Sequence, residues 1–600
     1  MDINIFNAKY LRKTNPYFFA TVRQAPDVEQ ARARLLQLAD RMEARSRFSD
    51  DTHLNEVGQD ALTRNRVRDC AAVLRSLVKP DSEKIAGFSV TRALWDIARH
   101  RPRPELSPAF YAEIFYLCKG LDGQGPRRAL DSIHLTPIKA SGRDAARMRS
   151  RQLDDLWSEV DRYMESYPLG LDEEAIRRRL HRREHILRQL GADLDSWFDW
   201  RWQVGNIIRE LEPLEKLVRL SEAERQALKL AREHQLPFGI TPYYLSLMDD
   251  DPGGRDASIR AQVLPPLDYV KGILAVEDPS RLDFMGEEDT SPFDLITRRY
   301  PAICILKPYN TCPQICVYCQ RNWEIDEVMA PGAFAGMDRI KEAINWIRDH
   351  PSIQEVLITG GDPLAMGNEV LAEILNRVAA IPTVERIRIG TRTLVTMPMR
   401  FTEGLTALIA RHRRPGRREI AVMTHVQHPY EITPEMVEAV NRLRLKGIPV
   451  YNQLVYTFFI SRRFEASALR RHLRLSGIDP YYTFNTKGKD ETIGYRVPIA
   501  RLIQEQQEEA RLLPGLGRTD EAVFNVPRQG KNYLRAREYR NLLAILPNGA
   551  RVYEFLSWEK KISQHTTTHV NEDVPILDYL ERLKGIGESV SDYESIWYYY

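Results

Sequence analysis

The chain has 600 residues, 43% of them hydrophobic and 28% charged, about four times the ~150 residues of a typical domain and an ordinary globular balance. Those values exclude a collagen-like or wholly disordered chain and predict two or three domains with room for a large core. With 86 basic and 83 acidic residues the formal net charge is +3, so no attraction to nucleic acid or to a membrane follows from the global balance. The opening MDINIFNAKYLRKTNPYFFA lacks the apolar stretch of a secretory signal, and no apolar run is long enough to span a bilayer; a cytoplasmic protein is expected. Up to about residue 190 the pattern predicts helix after helix, with apolar positions three and four apart, as at Ala31, Leu35, Leu38 and Met42. Asp172, Glu173 and Glu174 precede an arginine-rich stretch at 177–188, the order a helix dipole favours. A nucleic-acid patch is one reading of those arginines; a solvated helix face is the stronger, because no aromatics interleave. Gly- and Pro-rich stretches at 119–143 and 249–256 mark loops. From about 302 to 527 seven short β-rich runs, at 302–306, 355–359, 384–389, 419–426, 449–457, 481–485 and 522–526, alternate with helical patterns. That alternation predicts an α/β fold, a parallel sheet covered by helices and curved into a partial or full barrel. In such a fold chemistry gathers at the C-terminal strand ends.

Only six cysteines occur, far too few for a disulfide scaffold, yet three of them, Cys312, Cys316 and Cys319, share the segment KPYNTCPQICVYCQRNWE just after the first predicted strand. A structural zinc site would need a fourth Cys or His nearby, and the next histidine is His350. Three thiolates without a fourth suit a [4Fe–4S] cluster with one iron open to a ligand. The remaining cysteines, Cys70, Cys118 and Cys304, are expected to be buried small hydrophobes.

The C-x3-C-x2-C loop, with Tyr318 before its third cysteine, resembles the radical S-adenosylmethionine superfamily. There the open iron chelates S-adenosylmethionine and an electron cleaves it to a 5′-deoxyadenosyl radical. The superfamily's Gly-Gly-acid motif has a counterpart in Gly360, Gly361 and Asp362, where glycine permits close backbone approach to a ligand. Five further segments in order, WRWQVGN at 200–206, GITPYYLSL at 239–247, RIRIGTRTLV at 386–395, THVQHPYEIT at 424–433 and Asn452-Gln453, narrow the resemblance to the 2,3-aminomutases typified by lysine 2,3-aminomutase. The resemblance spans about 195–560. It implies a radical SAM partial barrel at 299–535 carrying Fe–S and pyridoxal phosphate sites and a helical aminomutase-type region at 191–298; the helical N-terminal extension at 1–190 lies outside it and has no assigned role, and a C-terminal segment follows at 536–600. It also implies Gly360, Gly361, Asp362, Arg392, His425 and Gln453 around the coenzyme, Lys531 as the lysine that forms a Schiff base with pyridoxal 5′-phosphate, and Arg299 for that cofactor's phosphate. A second family arginine is replaced by Ile303.

For the substrate, the resemblance implies Arg321 as the α-carboxylate clamp, a task suited to a bidentate guanidinium. Where lysine-specific relatives place two aspartates for the distal ammonium, this chain has Lys487 and Asn525, with Lys489 as an alternative to Lys487. That inverts the charge preference of the pocket and matches glutamate 2,3-aminomutases. The expected activity is therefore an isomerase converting L-glutamate to β-glutamate by radical migration of the amino group, with flavodoxin or ferredoxin as reductant. The rivals are the same reaction on lysine, modification of a protein lysine, and, in a different class, an Fe–S nucleic-acid-binding protein. A C-terminal cysteine trio that holds zinc at a subunit contact in some relatives is missing here, and a homo-oligomer is only a family expectation.

Overall fold

The structure is a computed structural model describing residues 5–47, 57–125, 140–250, 252–278, 282–486, 490–527, 529–556 and 568–600. Among these, no strand precedes Ile296, and the first 190 residues form helices as the periodicity predicts. The helix Pro108–Leu121 shows why. Ser107 caps it by accepting from the Phe110 amide, Pro108 takes the first helical position, and apolar residues including Phe110, Ile114, Phe115 and Leu117 are buried. No described helix is long and apolar enough to cross a membrane.

The arginine-rich stretch lies on the helix Glu173–Gln189. It is neither a free basic stripe nor simply a solvated face. Arg179, with only 4% of its side chain exposed, pairs with Glu435 at 2.7 Å; Arg178 pairs with Asp249 at 3.4 Å and Arg182 with Asp250 at 2.5 Å. Arg179 thus ties the helix to the barrel region, and Arg178 and Arg182 tie it to the loop at 249–250, a use that charge spacing alone does not reveal.

The main sheet has nine strands in sequential order: β1 (Ile296–Thr297), β2 (Ile303–Tyr309), β3 (Glu355–Gly360), β4 (Arg386–Gly390), β5 (Glu419–Thr424), β6 (Val450–Tyr456), β7 (Ile478–Asn485), β8 (Glu521–Val526) and β9 (Gly530–Tyr533). Strands β2 to β8 are the seven predicted ones, and each runs parallel to the next. Helices between them cover the outside. One of these, Pro434–Leu445, is capped by Thr433 and buries Met436, Ala439, Val440 and Leu443, a single stripe at helical spacing. Two antiparallel edges, β1 against β2 and β9 against β8, complete the sheet. Because β1 and β9 do not pair, the barrel is partial.

Strand burial decides where the cavity lies. Along β2, β3 and β6 fully buried residues alternate with half-buried ones. The half-buried set, Ile305, Leu357, Thr359, Gln453 and Val455 among it, faces an internal cavity, while Cys304, Val356, Ile358 and Leu454 are sealed into the core. The helix-facing side of the sheet is thus closely packed and the concave side is left open, unlike the filled interior of a closed eight-stranded barrel.

A second, antiparallel sheet follows, β10 (Arg540–Ile545), β11 (Arg551–Phe555) and β12 (His569–Glu572), with no counterpart among the predicted strands. It packs against the N-terminal helices Val57–Leu77 and Pro80–Ala86. Arg551 donates to Glu113 at 2.9 and 3.0 Å and to the Trp597 and Tyr599 carbonyls, and Tyr116 stacks on Trp597 at 4.8 Å. The beginning and end of the chain are therefore one packed unit. Both charges of the Glu113–Arg551 pair are 2% exposed, so Glu113→Ala strands a buried guanidinium and should cost about 3–5 kcal/mol in equilibrium denaturation; an unchanged midpoint would contradict the pairing.

Candidate active site

The open face of the sheet encloses a cavity of about 850 Å³ whose lining includes Cys312, Cys316, Cys319, Gly360, Gly361, Asp362, Arg392, His425, Gln453, Arg299, Arg321, Asn525 and Lys531. Every predicted site residue that the structure describes is therefore brought to one chamber. Lys487 and Lys489 lie outside the described residues.

The cysteine loop leaves the end of β2 and is held in place by backbone. Gly361 N donates to Tyr309 O and Asp362 N to Thr311 O, both at 2.9 Å. A Cβ on Gly361 would come 2.1 Å from the Thr311 carbonyl oxygen, and Gly360 has φ +113°, a conformation only glycine adopts readily. The glycine pair therefore serves first to let the cysteine loop lie against β3, a role beyond the ligand approach its motif suggests. Asp362 accepts from Thr391 Oγ1 at 2.7 Å and from the Arg392 and Thr393 amides, which locks the end of β4 to the same corner. Burial pushes its carboxyl above the usual range against those hydrogen bonds.

Arg392 crosses the floor of the cysteine loop. Its Nη1 donates to Cys316 Sγ at 2.6 Å, while Nη2 reaches Glu431 at 2.8 Å, the Tyr244 hydroxyl at 3.3 Å and Gln262. Glu431, fully buried, also accepts from Tyr244 Oη at 2.7 Å, Gln262 Nε2 at 3.0 Å and the Gln427 amide at 2.6 Å. Burial opposes its charge, but the Arg392 guanidinium and these donors hold it below the ordinary carboxylate range. Tyr318 donates to Gln262 at 3.1 Å and lies 3.0 Å from His425 Nε2. Burial, reinforced by Arg392, lowers His425 to about 4, so this histidine is neutral. The segments GITPYYLSL and THVQHPYEIT thus contribute Tyr244 and Glu431 to one network. Neither residue stands out within its segment, and nothing in the sequence marks Gln262.

At the other side of the chamber, β8 and β9 form a hairpin in which Asn525 is paired with Lys531. Lys531 is therefore on a strand, β9, beyond the seven predicted ones. Its Nζ donates to the Tyr300 hydroxyl at 3.1 Å and lies over the Tyr300 and Tyr482 rings. Arg299 donates through Nε to Thr290 at 3.2 Å, but its buried Nη2 has no hydrogen-bond partner. Arg321 is buried and grips Glu287 through two nitrogens.

These residues fit the groups that the sequence implies. Three soft thiol donors border one cavity. Among the described residues no three His, Cys, Asp or Glu side chains are arranged to hold a metal ion by themselves, and a donor set of three thiolates suits an iron–sulfur cluster with one open iron. A guanidinium and a lysine amine lining the same cavity suit a phosphorylated aldehyde. Gly361→Ala, which drives a side chain into the Thr311 carbonyl, should leave the protein folded by circular dichroism but with much less iron after anaerobic reconstitution; full iron retention would show that the glycine does not seat the loop.

Comparison with known proteins adds three findings. The Radical SAM superfamily matches residues 306–461. Over 96% of its length the chain is 41% identical to an uncharacterized KamA family protein of Methanocaldococcus jannaschii, of which it covers 95%. It is 29% identical to glutamate 2,3-aminomutase of Clostridioides difficile over 74% of this chain and 98% of that protein, and 32% identical to L-lysine 2,3-aminomutase of Clostridium subterminale over 54% and 74%.

Proposed function

The chain belongs to the KamA family within the radical SAM superfamily, and from that premise we propose that it is a 2,3-aminomutase, dependent on pyridoxal 5′-phosphate, that converts L-glutamate to β-glutamate. Superfamily membership implies a [4Fe–4S] cluster and S-adenosylmethionine, which together supply a carbon radical able to take a hydrogen atom, while pyridoxal phosphate supplies a conjugated ring that spreads an unpaired electron. Cys312, Cys316 and Cys319 hold the cluster. Gly360, Gly361, Asp362, Arg392, His425 and Gln453 form the coenzyme's wall. Lys531 anchors pyridoxal phosphate through its amine, the Tyr300 hydroxyl holds that amine in line, and the Arg299 guanidinium receives the phosphate. Arg321 takes the substrate's α-carboxylate, so the β-carbon is held at a fixed distance from the radical source. A one-electron donor of the flavodoxin or ferredoxin kind would deliver the reducing electron.

The observation that carries glutamate is the charge of the chamber. Its described lining has six guanidinium or ammonium groups, Arg299, Arg321, Arg386, Arg388, Arg392 and Lys531, against three carboxylates, Glu355, Asp362 and Glu385, while Glu287 and Glu431 pair with Arg321 and Arg392 from behind the wall. Asp362 is engaged by Thr391, and Glu355 by Arg386 and Arg388. Beside Lys531 stands Asn525, where a lysine-specific relative would have a carboxylate. A substrate bringing a second carboxylate meets donors there, whereas one bringing an ammonium meets like charge. The glutamate 2,3-aminomutase match, covering nearly all of that protein, supports the same choice.

Reconstituted protein given S-adenosylmethionine, pyridoxal phosphate and reductant without oxygen should convert glutamate and leave lysine unchanged; conversion of lysine with inert glutamate would overturn the substrate assignment. Lys531→Ala should abolish the visible absorbance of the lysine-bound cofactor and lower turnover by about 10³-fold or more. Retention of both would remove Lys531 from the role.

A further inference from the structure

Resting on the reading above, we propose that Glu287 is a positioning residue: a buried carboxylate behind the cavity wall that fixes Arg321 and Arg299 together, so that the substrate's carboxylate and the cofactor's phosphate are received at set places relative to Lys531. Neither the sequence motifs nor the comparisons assign Glu287 a role.

Glu287 lies just before β1, and its side chain is 5% exposed. Its Oε2 accepts from Arg321 Nε at 2.8 Å and its Oε1 from Arg321 Nη2. The Thr297 hydroxyl adds a hydrogen bond at 3.1 Å, and Arg299 Nη2 stands 3.9 Å from Oε1. One carboxylate thus hydrogen-bonds one cavity arginine and stands within ion-pair distance of the other. Its own backbone is anchored, since the Glu287 amide donates to Asp283 Oδ2 at 2.5 Å. The neighbouring guanidinium overcomes burial and holds the carboxyl down at about 2, so the group is ionised across the working range of pH.

Two readings of such a pair predict opposite outcomes. An internal carboxylate could stand in the substrate's place and be displaced by it, or it could hold the arginine from behind. Position separates them. Arg321 and Arg299 line the chamber and Glu287 does not. It takes the Nε–Nη2 edge of Arg321, and the Nη1 of that arginine makes no hydrogen bond among the described residues, leaving a donor for an incoming anion. A long guanidinium side chain carries considerable rotamer freedom. Fixing one edge removes that freedom before the substrate arrives, which is preorganisation rather than competition. Because the same oxygen lies near Arg299, loss of Glu287 should loosen both anion sites at once, an effect that damage at Arg321 alone would not produce.

The test uses Glu287→Gln, which keeps the shape and removes the charge, and Glu287→Asp, which keeps the charge and shortens the reach, each in the full chain. Two readouts are taken. The first is the rate at which phenylglyoxal modifies Arg321 and Arg299 in protein without added cofactor, followed by peptide mass mapping. The second is steady-state turnover of glutamate together with the concentration of pyridoxal phosphate needed for half-saturation. With Gln we expect labelling of both arginines to rise about tenfold or more, the KM for glutamate and the half-saturating pyridoxal phosphate concentration each to rise by a similar factor, and kcat to stay within about threefold. Asp should recover part of each loss. Unchanged labelling would overturn the proposal outright, and a lower KM in the Gln variant would show that Glu287 competes with substrate. If the unmodified protein turns over no glutamate, the functional reading fails, and the labelling result still decides whether Glu287 fixes the two arginines.

Discussion

The site depends on one close approach of backbone to backbone, where the cysteine loop after β2 lies against the end of β3. Two amide-to-carbonyl hydrogen bonds join them, and the absence of a side chain at Gly361 permits it. Hydrogen bonds of this kind contribute only about 1 kcal/mol each, so their importance is geometric. They fix the loop that carries three thiols to the rigid edge of a parallel sheet, and a site built on strand ends can hold its ligands more closely than one on a free loop. From there Asp362 carries the constraint to the end of β4, and Arg392 carries it back to Cys316.

The concave face of the sheet makes the chamber possible. In a closed eight-stranded barrel the inward side chains fill the interior. Here the sheet stays open between β1 and β9, and its inward positions hold glycines, threonines, glutamine and arginines as well as aliphatics. The space is sealed instead by segments from outside the barrel. Tyr244 and Gln262 come from the helical region ahead of it, and with Glu431 they converge on Nη2 of Arg392. A carboxylate accepting several buried donors is expensive to expose, so this network makes the helical region part of the site as well as a cover.

Most of this was legible in sequence for physical reasons that differ by element. The seven parallel strands announce themselves because β-rich runs alternate with amphipathic helices. The edges did not: β1 has two residues and β9 four, too short for any period to register. The cysteines are legible because their spacing has few chemical explanations. Lys531 was found only through family resemblance, and its strand position was hidden because β9 is only four residues long. Glu287, Glu431 and Gln262 were not singled out, since a buried glutamate or glutamine looks like any other until its partners, tens to more than a hundred residues away in sequence, are brought to it. The ion pairs of Arg178, Arg179 and Arg182 were hidden for the same reason, their carboxylate partners Asp249, Glu435 and Asp250 being remote in the chain.

The central claim is that the three cysteines hold a four-iron cube with one corner open to S-adenosylmethionine, and electron paramagnetic resonance of the reduced, anaerobically reconstituted protein tests it most directly. The account predicts the signal of a reduced [4Fe–4S] cluster whose shape changes when S-adenosylmethionine is added. Absence of a cubane signal from protein with its cysteines intact, or a signal that the coenzyme leaves untouched, would contradict it.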